Sequence, residues 1–153
     1  GENLNGKVFL DLFSGSGQIG IEALSRGAEK VIFNEKDKAR FSFIKEYLSS
    51  LSLMDRSLLL SLSWDRAIDF VSKNGICVDV VFADPPYIKQ KAKEDLYTSL
   101  LTAISEKNIL AAGGVVIVQH FSMNELSEDV GSLYLFDSKR YGTTTLSIYR
   151  VRE

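Results

Sequence analysis

Five apolar runs alternate with amphipathic segments between residues 7 and 119, and this alternation limits the folds available to the chain. The runs are Lys7–Leu12, Lys30–Asn34, Ser57–Leu62, Val78–Ala83 and Val115–Gln119. Strands that alternate with helices at this spacing predict a parallel sheet covered by helices on both faces. The fold class is therefore predicted to be α/β, with a single domain over residues 1–153 and no linker or repeat.

The connecting segments have the apolar spacing of helices. Three are predicted at Ile19–Arg26, Asp37–Leu51 and Asp95–Glu106, and another is expected after the turn Ser63–Asp65. The residues predicted to face the core are Ile19, Ala23 and Leu24, then Phe41, Ile44, Leu48 and Leu51, then Ala67, Ile68 and Val71, and finally Leu96, Leu100 and Ile104. They recur at three- and four-residue steps, which places them on one face of each helix.

The last part of the chain has a different pattern. Gly113-Gly114 is predicted to turn the chain into the fifth strand. Leu133–Phe136 and Thr145–Tyr149 then form two apolar runs with Lys139–Gly142 between them and no helical segment. This pattern predicts a C-terminal antiparallel hairpin joined by a turn.

The composition is that of an ordinary globular domain and limits the kinds of function. The 153 residues are 45% hydrophobic and 25% charged, with a formal net charge of −2. That balance argues against a protein that holds nucleic acid by bulk electrostatics. One cysteine excludes an internal disulfide and a cysteine-based zinc cluster, and one histidine is a thin basis for another metal site. We expect a cytoplasmic monomer with no metal and no membrane segment.

A glycine-rich turn follows the first strand. Gly15-x-Gly17-x-x-Gly20 matches the dinucleotide fingerprint, and Glu35 ends the second strand where a ribose-binding acid is expected. Binders of S-adenosylmethionine need the same side-chain-free turn and the same acid. Because parallel strands bring their carboxyl ends to one edge, the turn and Glu35 are predicted to share a crevice.

Nearby carboxylates favour S-adenosylmethionine over a nicotinamide dinucleotide. Asp11 and Asp84 both end strands near the glycine turn, where they would repel a pyrophosphate and attract a sulfonium and an ammonium. Asp11 is predicted to orient the methionine end. Glu35 is predicted to accept hydrogen bonds from the ribose hydroxyls; the alternative interpretation is an exposed acid that caps the next helix. The other candidate cofactor residues are Phe13, Ser14, Gly15 and Gly17.

The adenine is predicted to lie beside the residues that follow the third strand. Trp64 and Asp65 are the candidates there. A core position for Trp64 and an N-cap role for Asp65 are alternative interpretations.

The fourth strand ends in Asp84-Pro85-Pro86-Tyr87. Two proline rings fix φ and carry no N–H, so they form a stiff corner that exposes carbonyl oxygens. A carboxylate before this corner and an aromatic ring after it can hold a flat base that bears an amine. The alternative is an ordinary turn in which Asp84 caps and Tyr87 packs.

Together these residues resemble the RsmD-like methyltransferases, which modify the exocyclic N2 of a guanine in 16S ribosomal RNA. The resemblance rests on Asp11–Gly17, Glu35, Asp84–Tyr87 and Arg140–Thr143, and it extends over essentially the whole chain. It implies a Rossmann-like, S-adenosylmethionine-dependent fold with a mostly parallel seven-stranded sheet whose last strand is antiparallel. It also implies catalysis at Asp84, Pro85, Pro86 and Tyr87, with ribosomal RNA or the small ribosomal subunit as partner.

The chain departs from the family pattern in two places. Family members carry an N-terminal extension, whereas this sequence begins without Met almost at its first strand, so we expect upstream residues. An acid-Ala pair often follows strand three in the family, where this chain has Ser63-Trp64-Asp65.

Two basic segments are candidate RNA contacts. Lys89, Lys91 and Lys93 follow the proline corner, and Arg140 and Tyr141 lie in the predicted hairpin turn. Phosphate contacts would use such side chains. The alternatives are a solvated loop for the lysines and a purely structural hairpin for Arg140 and Tyr141.

Three other functions remain open from the sequence. The chain could methylate adenine N6 or a protein glutamine, act as a nucleotide-dependent oxidoreductase, or bind RNA without catalysis. Calorimetry with S-adenosylmethionine and with NAD would distinguish a methyltransferase from an oxidoreductase. A steep salt dependence of RNA affinity without cofactor would identify a non-catalytic RNA-binding module.

Overall fold

The computed structural model describes residues 3–86 and 95–153, which form a mostly parallel sheet between two layers of helices. The strands are β1 (Val8–Asp11), β2 (Lys30–Asn34), β3 (Ser57–Leu60), β4 (Val78–Ala83), β5 (Leu110–Phe121), β6 (Asp129–Val130), β7 (Leu133–Tyr141) and β8 (Thr144–Val151). Their order across the sheet is β3-β2-β1-β4-β5-β8-β7-β6. The α/β fold predicted from the sequence is confirmed.

The chain winds outward from the centre of the sheet twice. β1, β2 and β3 pair in parallel on one side, and β4 and β5 continue on the other side of β1. The direction of winding changes between β1 and β4, which is where open sheets of this kind bind ligands. β8 then enters antiparallel between β5 and β7. The seven strands implied by the resemblance are joined by an eighth, the two-residue strand β6.

The helices divide between the two faces of the sheet. They are α1 (Gln18–Ser25), α2 (Lys38–Ser50), α3 (Trp64–Lys73) and α4 (Asp95–Lys107), with a 3-10 turn at Met54–Arg56. Buried side chains of α1 and α2 pack into one core, and those of α3 and α4 pack into the other. Among the described residues, no helix combines the length and apolar character needed to cross a membrane.

The structure corrects two predicted turns. Gly113 and Gly114 lie inside β5, which begins at Leu110, and Gly113 takes a positive φ of 75° where the register with β4 shifts. A bulge of this kind explains glycine within a strand. The predicted turn at Lys139–Gly142 is shorter than expected, since β7 continues to Tyr141 and only two residues precede β8.

Two residues predicted to face the core do not. Leu51 is 43% exposed beyond the end of α2, and Ile19 is 44% exposed at the start of α1. Both are at helix ends, where periodicity alone does not show whether a neighbouring element covers the side chain. Of the other members of their faces, Ala23, Leu24, Ile44 and Leu48 are buried as predicted, whereas Phe41 is half-buried.

Gly20 lets α1 approach β2 closely. A β-carbon at Gly20 would collide with the ring of Phe33, which is fully buried. Ala normally stabilises a helix interior relative to Gly by about 1 kcal/mol. Here we expect Gly20→Ala to lower the free energy of unfolding by about 1–3 kcal/mol, because overpacking outweighs helix propensity.

Urea denaturation of Gly20→Ala checks this expectation. The Phe33→Leu change provides the matched test, since the smaller side chain makes room for the added methyl. Gly20→Ala should cost less in the Phe33→Leu background than in the natural chain. Equal costs in both backgrounds would contradict the predicted collision.

Candidate active site

A cavity of about 730 Å³ opens at the carboxyl ends of β1, β2, β3 and β4. Four groups of predicted site residues meet there, from the glycine turn, the end of β2, the segment after β3 and the proline corner. Its lining residues are Leu12, Phe13, Ser14, Gly15, Ser16, Gln18, Ile19, Asn34, Glu35, Lys36, Arg40, Leu62, Ser63, Trp64, Phe82, Asp84 and Pro86. The crevice predicted from strand order therefore exists as one cavity.

The glycine turn is held by backbone hydrogen bonds. The Ser14 N–H donates to the carbonyl of Asn34 over 2.9 Å, and the Gly17 N–H donates to that of Ser14 over 2.8 Å. Gly15 and Gly17 have φ values of 59° and 85°, which favour glycine. Gly15 lines the cavity, whereas Gly17 lies behind the turn at the start of α1, where a β-carbon would be 3.1 Å from Ile44.

Glu35 joins the glycine turn to α2. Its Oε1 accepts from the Gly15 N–H over 2.7 Å, and its Oε2 accepts from the Asp37 N–H over 2.9 Å. Asp37 in turn caps α2, accepting from the Arg40 N–H over 3.0 Å. The carboxylate is 9% exposed and lines the cavity. Glu35 is therefore fixed in place by its own neighbours while each oxygen keeps a free lone pair for a ligand.

Asn34 is a site residue that sequence reasoning missed. Its side-chain amide donates to the carbonyls of Leu12 and Leu62 over 3.2 and 2.9 Å, and its Oδ1 accepts from the Leu62 N–H over 3.1 Å. These bonds tie together the chain ends that leave β1, β2 and β3. A polar residue at the buried end of an apolar strand was the signal in the sequence.

Asp11 lies beneath the turn and is not one of the residues that line the cavity. It is 1% exposed, and neither carboxylate oxygen has a hydrogen-bond partner among the described residues. The Ser14 hydroxyl donates instead to the main-chain oxygen of Asp11 over 3.1 Å. Burial raises the pKa of Asp11 to about 7, and the negative charges of Asp84 and Glu35 add to the rise. The nearby Ser14 hydroxyl and Gly20 N–H favour the charged form and oppose it, although neither makes a hydrogen bond of normal geometry to the carboxylate.

The raised pKa of Asp11 predicts a pH-dependent stability. The folded protein holds this proton between pH 4 and 7 while the unfolded chain releases it, so the free energy of unfolding falls as pH rises through that range. At about 1.4 kcal/mol per pH unit, the fall approaches about 4 kcal/mol. Asp11→Asn should flatten the curve measured by urea denaturation from pH 4 to 8, and parallel curves would contradict this assignment.

The proline corner follows β4 at the same sheet edge. The Asp84 side chain is exposed to the cavity, Pro85 is buried and Pro86 is exposed. Gln119 of β5 donates from Nε2 to Asp84 Oδ2 over 3.3 Å. Partial burial raises the pKa of Asp84. Within residues 3–86 and 95–153 no hydrogen bond reaches the second oxygen, Oδ1, so the corner offers this oxygen to a ligand.

The residues after β3 divide into two groups. Ser63 and Trp64 line the cavity, with Trp64 half-buried. The predicted turn is instead the start of α3, so Asp65 is in the first turn of that helix with its side chain exposed, and it is not among the lining residues. The Ser63 hydroxyl lowers the pKa of Asp65 by hydrogen bonding.

Several predicted contacts fall elsewhere. Tyr87 and the three lysines, Lys89, Lys91 and Lys93, lie outside the described residues. Tyr141 is 63% exposed at the end of β7 and pairs with Thr144, which pairs with Phe121 at the carboxyl end of β5. Tyr141 is therefore at the same edge of the sheet as the cavity.

Comparison with known proteins identifies relatives of this arrangement. The family model described as Conserved hypothetical protein 95 matches residues 1–150. The chain belongs to this family. It is 37% identical over 152 residues to the Bacillus subtilis (strain 168) protein named "Putative rRNA methyltransferase YlbH", covering 99% of this chain and 80% of that protein.

A second relative is the Haemophilus influenzae protein named Ribosomal RNA small subunit methyltransferase D. It is 34% identical over 113 residues, which cover 72% of this chain and 54% of that protein. Among solved structures, a conserved hypothetical protein from Streptococcus pyogenes superposes with a TM-score of 0.83 at 30% identity, covering 99% and 89% of the two chains. The resemblance to RsmD-like methyltransferases is thereby confirmed.

Proposed function

We propose that this protein transfers the methyl group of S-adenosylmethionine to the exocyclic N2 of a guanine in small-subunit ribosomal RNA. The observation that carries the proposal is the shared cavity: Asp84 and Pro86 line it together with Gly15 and Glu35. A methyl donor held by the glycine turn and a base held by the proline corner would then face one another.

The cavity residues suit the proposed cofactor. Glu35, Ser63 and Trp64 line the cavity, which supports a role for Glu35 in accepting the ribose hydroxyls and for Trp64 and Ser63 in contacting the adenine. Asp11, buried with unpartnered oxygens, lies below the turn, where a cationic methionine end would relieve its desolvation. S-adenosylmethionine supplies an electrophilic methyl group on a sulfonium, and carboxylates around it are favourable.

A guanine amine is a weak nucleophile because its lone pair is delocalised into the ring, and the proline corner would make it more nucleophilic. Asp84 Oδ1 and the Pro85 carbonyl would accept hydrogen bonds from the two amine N–H groups, pull both protons out of the ring plane and so expose the lone pair. The nitrogen then bonds to the methyl carbon as the carbon–sulfur bond breaks, and the amine gives one proton to Asp84. The remaining catalysis is positioning, with Tyr87 proposed to stack on the base.

The RNA must present an unpaired base, because a paired amine cannot reach such a pocket. Tyr141 and Lys139 are exposed on β7 at the cavity edge of the sheet, which supports a role for them in contacting the nucleotides that flank the target. The curated relatives named for ribosomal RNA support this substrate class, and a ribosomal substrate implies action in the cytoplasm.

Methyl-labelled S-adenosylmethionine tests the proposal directly. The protein is incubated with small ribosomal subunits, or with naked 16S RNA, from a strain that lacks its gene, and the RNA is digested to nucleosides. We expect label in N2-methylguanosine at one mapped position, with the preferred substrate form showing which partner is bound.

Three other outcomes would contradict the proposal. Label in N6-methyladenosine or in a ribosomal protein would show that adenine or a protein side chain, and not guanine, is the methylated target. Calorimetric binding of NAD in place of S-adenosylmethionine would indicate an oxidoreductase. RNA affinity without cofactor binding and with a steep salt dependence would indicate a binding module.

A further inference from the structure

We propose that Gln119 is a positioning residue for the reaction: its carboxamide fixes the Asp84 carboxylate with Oδ2 occupied and Oδ1 directed to the substrate amine. The inference rests on the proposed function and deepens it. It starts from one contact, the 3.3 Å hydrogen bond from Gln119 Nε2 to Asp84 Oδ2, which joins residues 35 positions apart in the chain.

The sheet register explains why Gln119 meets Asp84. Ala83 of β4 pairs with Val118 of β5, so Asp84, the first residue after β4, lies beside Gln119, the next residue of β5. Side chains alternate along β5. Val118 and His120 are buried on the face that carries α3 and α4, while Gln119, between them, is half-buried and points to the other face. The register therefore directs the Gln119 amide to the proline corner.

The chemistry of an amide suits this role. A carboxamide nitrogen only donates, so it binds an unprotonated oxygen and favours the ionised carboxylate. This preference of the amide for the ionised carboxylate acts against the effect of partial burial, which raises the pKa of Asp84. Because the amide holds Oδ2, the proton released by the amine goes to Oδ1, and the orientation of the carboxylate is set before the substrate arrives.

Other charged residues lie near the same corner, and they must stay unchanged in any variant that tests Gln119. Asp11 and Glu35 are the carboxylates of the neighbouring elements, and the charges of Glu35 and Asp84 both act on Asp11. Lys36 and Arg40 are cationic residues that line the same cavity. His120 is next to Gln119 in sequence, but its Nε2 contacts the Ser147 hydroxyl at 2.8 Å on the opposite face.

Two variants with different electrostatics test the inference. Gln119→Leu removes the donor at similar volume, and Gln119→Glu places a second carboxylate beside the first. We expect kcat to fall about tenfold or more in Gln119→Leu, the cost of one hydrogen bond to a charged group. The acid limb of the pH–rate profile should move to higher pH in Gln119→Leu and further in Gln119→Glu, with cofactor affinity unchanged.

A readout that needs no RNA separates this inference from the proposed function. The carbon-13 signal of the Asp84 carboxyl, assigned with Asp84→Asn, gives its titration directly. Thr144→Val, on β8 at the same edge of the sheet, is the control and should leave this titration and the pH–rate profile as they are.

The possible outcomes are distinct. An upward shift of the Asp84 titration in Gln119→Leu, together with the lower kcat, supports the inference. An unchanged titration and an unchanged acid limb overturn it, even if the natural protein methylates RNA normally. A natural protein that methylates none of the RNA substrates overturns the proposed function and with it the catalytic role of Gln119, whatever the titration shows.

Discussion

Asp84→Ala is expected to lower the rate of methyl transfer by about a hundredfold to ten-thousandfold, the range typical for loss of a positioned proton acceptor. The variant removes the group that would receive the amine proton and orient the amine. Cofactor affinity should stay close to that of the natural protein, because the glycine turn is held by Glu35 and Asn34 independently of Asp84. Single-turnover transfer and calorimetry with S-adenosylhomocysteine measure the two quantities.

Asp55→Ala is the matched control for Asp84→Ala. Asp55 is exposed just before β3, at the amino ends of the parallel strands and so at the opposite edge of the sheet. This control should transfer methyl groups at the natural rate. A normal rate in Asp84→Ala would remove Asp84 from the mechanism, and loss of cofactor binding in that variant would show that its role is structural.

Glu35→Gln is expected to weaken cofactor binding by about tenfold to a hundredfold. The carboxylate accepts from two backbone N–H groups, and an amide can accept at only one of these positions while its NH₂ faces the other donor. Hydrogen bonds to charged groups contribute about 1.5–3 kcal/mol, and each 1.4 kcal/mol is tenfold in Kd. Calorimetry with S-adenosylhomocysteine measures the loss.

A ligand analogue separates ribose contact from support of the turn. If Glu35 holds the ribose diol, the 2′,3′-dideoxy analogue should bind the natural protein more weakly than the parent ligand, and this difference should shrink in Glu35→Gln. Glu29→Gln, an exposed change just before β2 at the opposite edge, is the control and should bind both ligands normally. An undiminished difference in Glu35→Gln would assign the diol to another residue.

The fold was predictable because its signals are local and repeated. Val78–Ala83 reads as a buried strand in the sequence and is β4 with the same bounds, and the same is true of Lys30–Asn34 and β2. Parallel strands with intervening helices leave few arrangements. The position of the site was predictable for the same reason, since the glycine turn, Glu35 and Asp84 each come directly after a parallel strand.

The features that escaped prediction depend on contacts between distant segments. Asn34 and Gln119 act through partners 22 to 35 residues away, which no spacing rule connects. Asp65 is aimed away from the cavity because α3 begins at Trp64, and a shift of one or two residues at a helix start reverses which side chain faces inward. The Gly113 bulge likewise reflects the register of β4 against β5.

The position of β8 has a consequence for biosynthesis. This strand is the last in chain order, yet it fills the gap between β5 and β7 and pairs with both along most of its length. Until residue 151 has left the ribosome, β5 presents an open edge of unpaired N–H and C=O groups, which invites association with other nascent polypeptides. A chain truncated before β8 would have its glycine turn and proline corner but would lack the strand that joins β5 to β7.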